Sequence, residues 1–454
     1  MPSGLRAFAR VIVFIAIPAC ATGRQSASYQ APAFPLSRST STTSASADVR
    51  AVVAGQVLNR DAYVRAVLVA NPGIEAARQA WRAAQARVRQ AGAFDDPMLE
   101  VAMAPLSIGS SDARFGYEVG ISQQLPWFGK RALEREVMAA EADASASDLE
   151  MTRRELAMAA VLLYDDYFVA LRSLEINAQH VSLMQTLQAD ATAQFASGRG
   201  SAQDALQAEV ELTHLEHDAA TLKSARDVVV AQMNELLHRD PSAPLPPPTA
   251  ELALRAPVNQ HGARKLSQTA IDGRAEISAA RHHARAEAVK ADAASREYYP
   301  TVTLSTSYGS MWDMPEHRWM VGVGINLPLP TERRAAAVDE AHAARAQYES
   351  EIERMSDMAK TQVYVALRKL DESEQVLGMY RERLLPVAKR QVDAAQAGFI
   401  TSQNPFTAVI EAEKNLRSVE LDHQLAQAEC DRRHAELDRA LGAIPGLDER
   451  ESDR

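Results

Sequence analysis

Cysteine is nearly missing from this sequence: of 454 residues, only Cys20 and Cys430 carry a thiol. Cys20 lies in an N-terminal targeting stretch, so no disulfide framework is available to the mature fold. Aromatic residues are scarce too, at 6% against 46% apolar overall. That profile suits long Ala-rich helices better than an all-β globule. A basic surplus is lacking: the formal net charge is −10, which argues against nucleic acid as a partner. After the N-terminus no run of 18 apolar residues occurs, so any membrane crossing must be made by β-strands. Glycine and proline are absent from Lys130 to Ser197. At about 1.5 Å per residue this stretch predicts a helix of roughly 100 Å. A compact core has no room for such a helix, whereas a coiled coil or tube wall does. There is no Gly-rich phosphate loop, no His-Glu-x-x-His and no nucleophile elbow, so neither an enzyme nor a cofactor is expected.

Residues 1–20 read as a secretory signal peptide. Arg6 and Arg10 precede a short apolar run, Val11 to Ile17, and the small residues Ala19, Cys20 and Ala21 follow. Ile17-Pro18-Ala19-Cys20 resembles a lipobox, in which Cys20 is the lipidation site and becomes the first mature residue. Pro18 departs from the usual pattern, and the alternative is ordinary cleavage after Ala21. Residues 21–50, rich in Ser, Thr, Ala and Pro, have the composition of a flexible tether.

The rest is a tandem duplication. Ile74-Glu75-Ala76-Ala77-Arg78 matches Ile277-Ser278-Ala279-Ala280-Arg281, and Pro97 matches Pro300, at an offset of about 203. Gly120-Ile121 then matches Gly324-Ile325, Phe195 matches Phe399 and Ala208-Glu209 matches Ala412-Glu413, at about 204. Val169 to Arg172 fits Val365 to Arg368 better at 196, a local slide of helical sequence. The period is too long for a solenoid unit. A first repeat over 51–240, a Pro-rich linker over 241–262, a second repeat over 263–443 and a tail over 444–454 are expected. Each repeat reads as helix, two strands, very long helix, turn, long helix. In the second, Gly378 and Pro386 should segment or kink the long helix.

Four strands are expected, at about 98–104, 115–124, 301–308 and 318–327. Phe115, Tyr117, Val119 and Ile121 alternate with Gly116, Glu118, Gly120 and Ser122. Trp319, Val321, Val323, Ile325 and Leu327 alternate with Met320, Gly322, Gly324 and Asn326. One face is apolar and aromatic, the other small or polar. That is the pattern of a membrane barrel with lipid outside and water inside, although a half-buried sheet in a soluble domain shows the same alternation. On the barrel reading Glu118, Gly120, Gly322, Gly324 and Asn326 line the lumen. Four strands cannot close a barrel, and an open edge in lipid leaves backbone groups unpaired at several kcal/mol each. Strands in a membrane would therefore require oligomerisation.

The duplication, the prolines opening each strand pair, Leu125-Pro126-Trp127-Phe128-Gly129-Lys130-Arg131 and the turns around Phe195 to Ser201 and Phe399 to Pro405 resemble the TolC family of outer-membrane factors. The likeness covers about Leu58 to Ala443. Phe94-Asp95-Asp96-Pro97 and the Pro126 to Arg131 stretch look most like its heavy-metal efflux branch. The resemblance implies a mainly α protein with a small β part. It implies a homotrimer whose twelve strands form an outer-membrane β-barrel, continued by a long periplasmic α-helical barrel. It further implies outer-membrane lipid around the strands, a periplasmic adaptor protein and an inner-membrane pump of RND type. The linker and chain ends would wrap the tunnel as an equatorial belt.

The same resemblance places a periplasmic tip at the two helical turns, where Gly198, Gly200, Asp204 and Asn404 are aperture candidates. Asp204 could supply a carboxylate ring, or simply cap the helix beginning at Ser201. Asn404, beside Pro405, reads equally as a turn residue. No metal site is expected: His214 and His217, His282 and His283, and Met311, Met314 and Met320 lack a completing ligand set. Asp95-Asp96 should shape a turn, and Asp165-Asp166 should face solvent from a helix. A periplasmic coiled-coil adaptor would share the signal and the long helices, but not two copies of a helix–strand–strand–helix unit.

Overall fold

The computed structural model describes residues 49–109, 114–198, 200–252, 263–401 and 403–447. The signal peptide with Cys20, most of the tether, part of the linker and most of the tail lie outside the described residues. Two short helices open the first repeat, α1 (Arg60–Ala70) and α2 (Pro72–Ala91). Asn71 ends one and starts the other. Its side-chain oxygen accepts the Gly73 N–H at 2.8 Å, while Pro72 fills the first helical position, where no intrahelical donor is needed. Strands β1 (Met98–Met103) and β2 (Tyr117–Leu125) follow. Then comes α3 (Lys130–Ala196), 67 residues without interruption, and α4 (Ala202–Leu236).

The second repeat restates this order: α5 (Ala263–Gly273), α6 (Ala275–Arg296), β3 (Val302–Gly309), β4 (Trp319–Ile325), α7 (Glu332–Met379), α8 (Leu385–Ile400) and α9 (Phe406–Leu441). The counterpart of α3 is therefore split into α7 and α8. Tyr380–Leu384 between them form a π-helical turn. Pro386 has no N–H to donate and its ring crowds the carbonyl four residues back, and a π turn absorbs that misfit without breaking the rod. The interruption expected from Gly378 and Pro386 is thus a local π turn, with helix on both sides.

Alanine makes the helix packing close. Ala140, Ala142, Ala144 and Ala146 of α3 are buried, as are Ala279, Ala280, Ala286 and Ala291 of α6. Larger side chains fill the wider gaps: Trp81, Tyr63, Tyr164 and Phe168 are almost fully enclosed. Full burial of such side chains contributes about 1.5–3 kcal/mol each. Three hydrogen bonds tie the N-terminal segment, the linker and α3 together. Leu58 donates to the Pro247 carbonyl at 2.7 Å, and the Tyr164 hydroxyl donates to the Leu58 carbonyl at 3.0 Å. The Tyr167 hydroxyl reaches the Pro246 carbonyl at 3.1 Å.

The four strands make one antiparallel sheet in the order β1-β2-β3-β4. Its central seam joins the repeats, with Val119 opposite Tyr308 and Ile121 opposite Thr306.

Candidate functional site

Register decides which side chains share a face. Reading across the sheet, Leu99, Ile121, Thr306 and Val321 lie in one row, and Val101, Val119, Tyr308 and Trp319 in the next. Leu304 and Val323 extend the same face, as do Leu125, Val302 and Ile325. The face is apolar and uncovered: Leu99 is 68% exposed, Val321 85% and Val323 64%. Gln123 interrupts it at one end, where its amide donates to the Asp95 carbonyl at 2.7 Å. Among the described residues no other element packs on this face. Contiguous exposed apolar surface of this kind marks contact with a membrane or a partner.

The opposite face carries Glu100, Gly120, Ser307 and Met320 in one row, Met98, Ser122, Ser305 and Gly322 in another, and Gln124, Thr303 and Gly324 in a third. Glu118 lies there also, opposite Gly309. Four of the expected small or polar residues, Glu118, Gly120, Gly322 and Gly324, therefore share one face. Asn326, the fifth, stands opposite Thr301, one step on in the same β3–β4 register. It lies just beyond β4 and clasps the start of β3, its backbone donating to the Thr301 carbonyl at 3.2 Å and its side chain accepting from the Thr301 N–H. Gly322 is tight: a Cβ there would stand 2.7 Å from the Ser305 hydroxyl oxygen. β1 and β4 each pair on one side only, so two rows of backbone donors and acceptors stay open.

The helical turns form a second candidate region. Both hairpins pack on one cluster, with Met184 and Ala191 of α3, Ala208 and Leu215 of α4, and Phe406 and Ile410 of α9. Phe399 joins it and meets Phe406 with ring centroids 5.3 Å apart. In the first turn, Gly198 donates to the Phe195 carbonyl at 2.9 Å and Gly200 to the Gln194 carbonyl at 3.1 Å. A Cβ on Gly200 would meet the Phe195 nitrogen at 3.2 Å. Asp204 and Ser201 make a capping box: Ser201 Oγ accepts the Gln203 N–H at 3.1 Å and Asp204 accepts the Ser201 N–H at 3.3 Å. In the second turn, the Gln403 and Asn404 N–H groups both donate to the Gly398 carbonyl, at 2.8 and 3.0 Å. Asp204 and Asn404 thus both have local structural work.

Two polar clusters escaped the sequence reading. Asp165 was expected in solvent but is fully enclosed, while Asp166 reaches the Arg432 guanidinium. Asp165 faces Asp431, which is paired with Arg60, and Arg432 Nε lies 3.9 Å from Asp165. No N–H or O–H of a neutral neighbour reaches either Asp165 oxygen. Burial above all, and then the Asp431 carboxylate, hold the Asp165 carboxyl well above the usual range, against Arg432 and Arg60. A proton on Asp165, donated to Asp431, reconciles two facing carboxyls. The second cluster sits between the hairpins around His180. Neither had a sequence signal, because α3 is buried on several sides and periodicity cannot single out a polar residue there.

Among the described residues no group of three or more His, Cys, Asp or Glu side chains is arranged to hold a metal. His217 lies in solvent beside Asp218. Nor is any described helix long and apolar enough to cross a membrane.

A four-stranded sheet running into very long helices is also the arrangement of several solved structures. The solved structure of CusC, described in connection with transmembrane channel formation, superimposes with a TM-score of 0.72 at 18% identity, covering 85% of this chain and 92% of that one. The outer membrane protein VceC of Vibrio cholerae gives 0.71 at 17% identity, with 85% and 96% covered. The CmeC outer membrane channel of Campylobacter jejuni gives 0.70 at 13%, with 87% and 88% covered. Residues 266–443 match the family model described as outer membrane efflux protein. No curated protein matches the chain significantly. The second repeat carries the family's pattern, and the described chain has the mainly α fold with a small β part that the resemblance to the TolC family implied.

Proposed function

We propose that this chain is one protomer of a trimeric exit duct in the outer membrane, serving a tripartite efflux system. One observation carries the reading: a four-stranded sheet with an uncovered apolar face, a small polar face and two open edges. In lipid each open edge requires a partner strand, and two more copies supply eight strands and close a twelve-stranded barrel. The small polar face then lines water, and the long helices carry the lumen into the periplasm. Transport through it is passive, with energy supplied by an inner-membrane pump of RND type through a periplasmic adaptor docked on the helical turns. Gly198, Gly200, Asp204 and Asn404 lie at that end, with Asp204 adding carboxylate charge around the aperture. Heavy-metal ions or drugs are the cargo classes. The links from Leu58, Tyr164 and Tyr167 to the Pro246–Thr249 stretch form the equatorial belt, and Cys20 bears a lipid anchor.

Fractionation of cells expressing the full chain tests this. The protein should appear in outer-membrane fractions and run as a heat-dissociable species of about three chain masses. A periplasmic monomer stable without detergent would overturn it. Labelling with a fatty acid should mark the wild type and spare Cys20→Ala.

A further inference from the structure

His180 of α3 is buried between two carboxylates of α9. Its Nε2 lies 3.0 Å from Glu420 Oε2, and its Nδ1 lies 3.8 Å from Glu413 Oε2. Glu413 is 2% exposed, and its other oxygen accepts from Gln396 of α8 at 3.1 Å. Oε2 itself is buried and no donor satisfies it. A neutral imidazole donates from one nitrogen only, so it can serve one of the two carboxylates. One more proton, on Nδ1 or on Glu413 Oε2, completes the bridge to both.

The surroundings make this a link between hairpins. Arg417 of α9 donates to Asn177 Oδ1 of α3 at 3.1 Å and pairs with Asp218 of α4, while Lys414 of α9 pairs with Glu211 of α4. Asp393 of α8 adds negative charge near Glu413. Arg417 and Lys414 of α9 are thus engaged by α3 and α4, while His180 faces both Glu413 and Glu420. Burial raises the Glu413 carboxyl and His180 opposes the shift, as expected of a carboxyl competing with imidazole for one proton.

We propose that His180, Glu413 and Glu420 form a proton-dependent clamp that locks the α3–α4 hairpin to the α8–α9 hairpin under acid conditions and releases it towards alkaline conditions. The consequence for conduction rests on the duct reading above: if the periplasmic end widens by parting these two hairpins, it widens less readily when the bridge holds its extra proton. The sign follows from the chemistry. The doubly hydrogen-bonded form binds one more proton than the singly bonded one, so coupling strengthens as pH falls and fades as pH rises.

The test uses the full-length protein in detergent and in planar bilayers at about pH 5.5 and about pH 8. Hydrogen exchange of the α9 amides around 413–420, corrected for intrinsic rates, should show roughly tenfold more protection at the acid pH. His180→Gln and, separately, Glu420→Gln should abolish that difference while leaving α6 protection unchanged. Equal pH response in wild type and both variants would overturn the clamp. In bilayers the wild type should conduct several-fold less in acid, and His180→Gln should conduct alike at both values. A protein that makes no pore at either pH sinks the duct reading, yet the exchange comparison still decides the clamp.

Discussion

Asp165 and Asp431 illustrate how a single proton is set by packing. Their two carboxyls face each other in a space closed by Arg60, Arg432 and the base of the N-terminal segment. Because the folded state raises the Asp165 carboxyl above its unfolded value, it binds a proton that the unfolded chain releases. That contribution is complete below the unfolded carboxyl range and is lost as pH rises through the folded value. Asp165→Asn keeps a donor for Asp431 without needing the proton. We expect the variant to match or exceed the wild type in thermal stability at neutral pH, and to lose less stability on going alkaline, as read by Tm against pH in detergent. Arg60→Met does the opposite, because it leaves Asp431 buried without its guanidinium. A loss of about 3 kcal/mol is the expectation for one partner removed from an enclosed pair, measured by denaturant unfolding at constant pH.

Elements show the duplication most directly, and their ends are where it can be broken. α9 stops at Gly442, which adopts φ +82° and lies against the α5–α6 joint. A Cβ at Gly442 would stand 2.7 Å from the Gly273 carbonyl carbon. Arg274, in the same joint, donates to the Ala440 carbonyl at 2.9 Å. Gly442→Ala combines a left-handed backbone with a clash against another backbone, so it should cost roughly 1–3 kcal/mol. Faster exchange confined to the ends of α5 and α9 would report the loss locally.

Most of these elements were legible in the sequence. α3 follows from a long stretch without glycine or proline, and the strands follow from alternation around Val119 and Val321. The β2–β3 seam was not legible, because its partners are separated by nearly the whole first repeat and no local signal names the neighbour. Asn326 continues the β4 alternation one step past the strand end, where its side chain also accepts the Thr301 N–H. Asp165 was misplaced because charge on a helix was equated with exposure, whereas α3 is enclosed by α1, α2, α4, α6 and α9 around much of its girth.

At the scale of the whole molecule, the proposed trimeric duct has its two sheet faces meet different solvents, and substitution can tell them apart. Val321 is 85% exposed in the protomer on the apolar face, and Gly120 lies on the small polar face between Glu100 and Ser307. If lipid covers the first face, Val321→Arg places a guanidinium in hydrocarbon at about 2–4 kcal/mol near the midplane. Three protomers multiply that cost, so assembly in the outer membrane should fall sharply and unassembled chain should accumulate. Gly120→Arg acts differently. Its Cβ must pass 3.3 Å from that of Ser307, and three charged side chains then crowd one level of the lumen. Trimer yield should drop less than for Val321→Arg, while efflux measured by drug or metal tolerance falls to that of the deletion strain. Gln124→Arg, on the polar face with its side chain already exposed, should spare assembly. A Val321→Arg protein that assembles normally beside a Gln124→Arg protein that does not would mean the faces are reversed, since no arrangement of lipid outside and water inside produces that order.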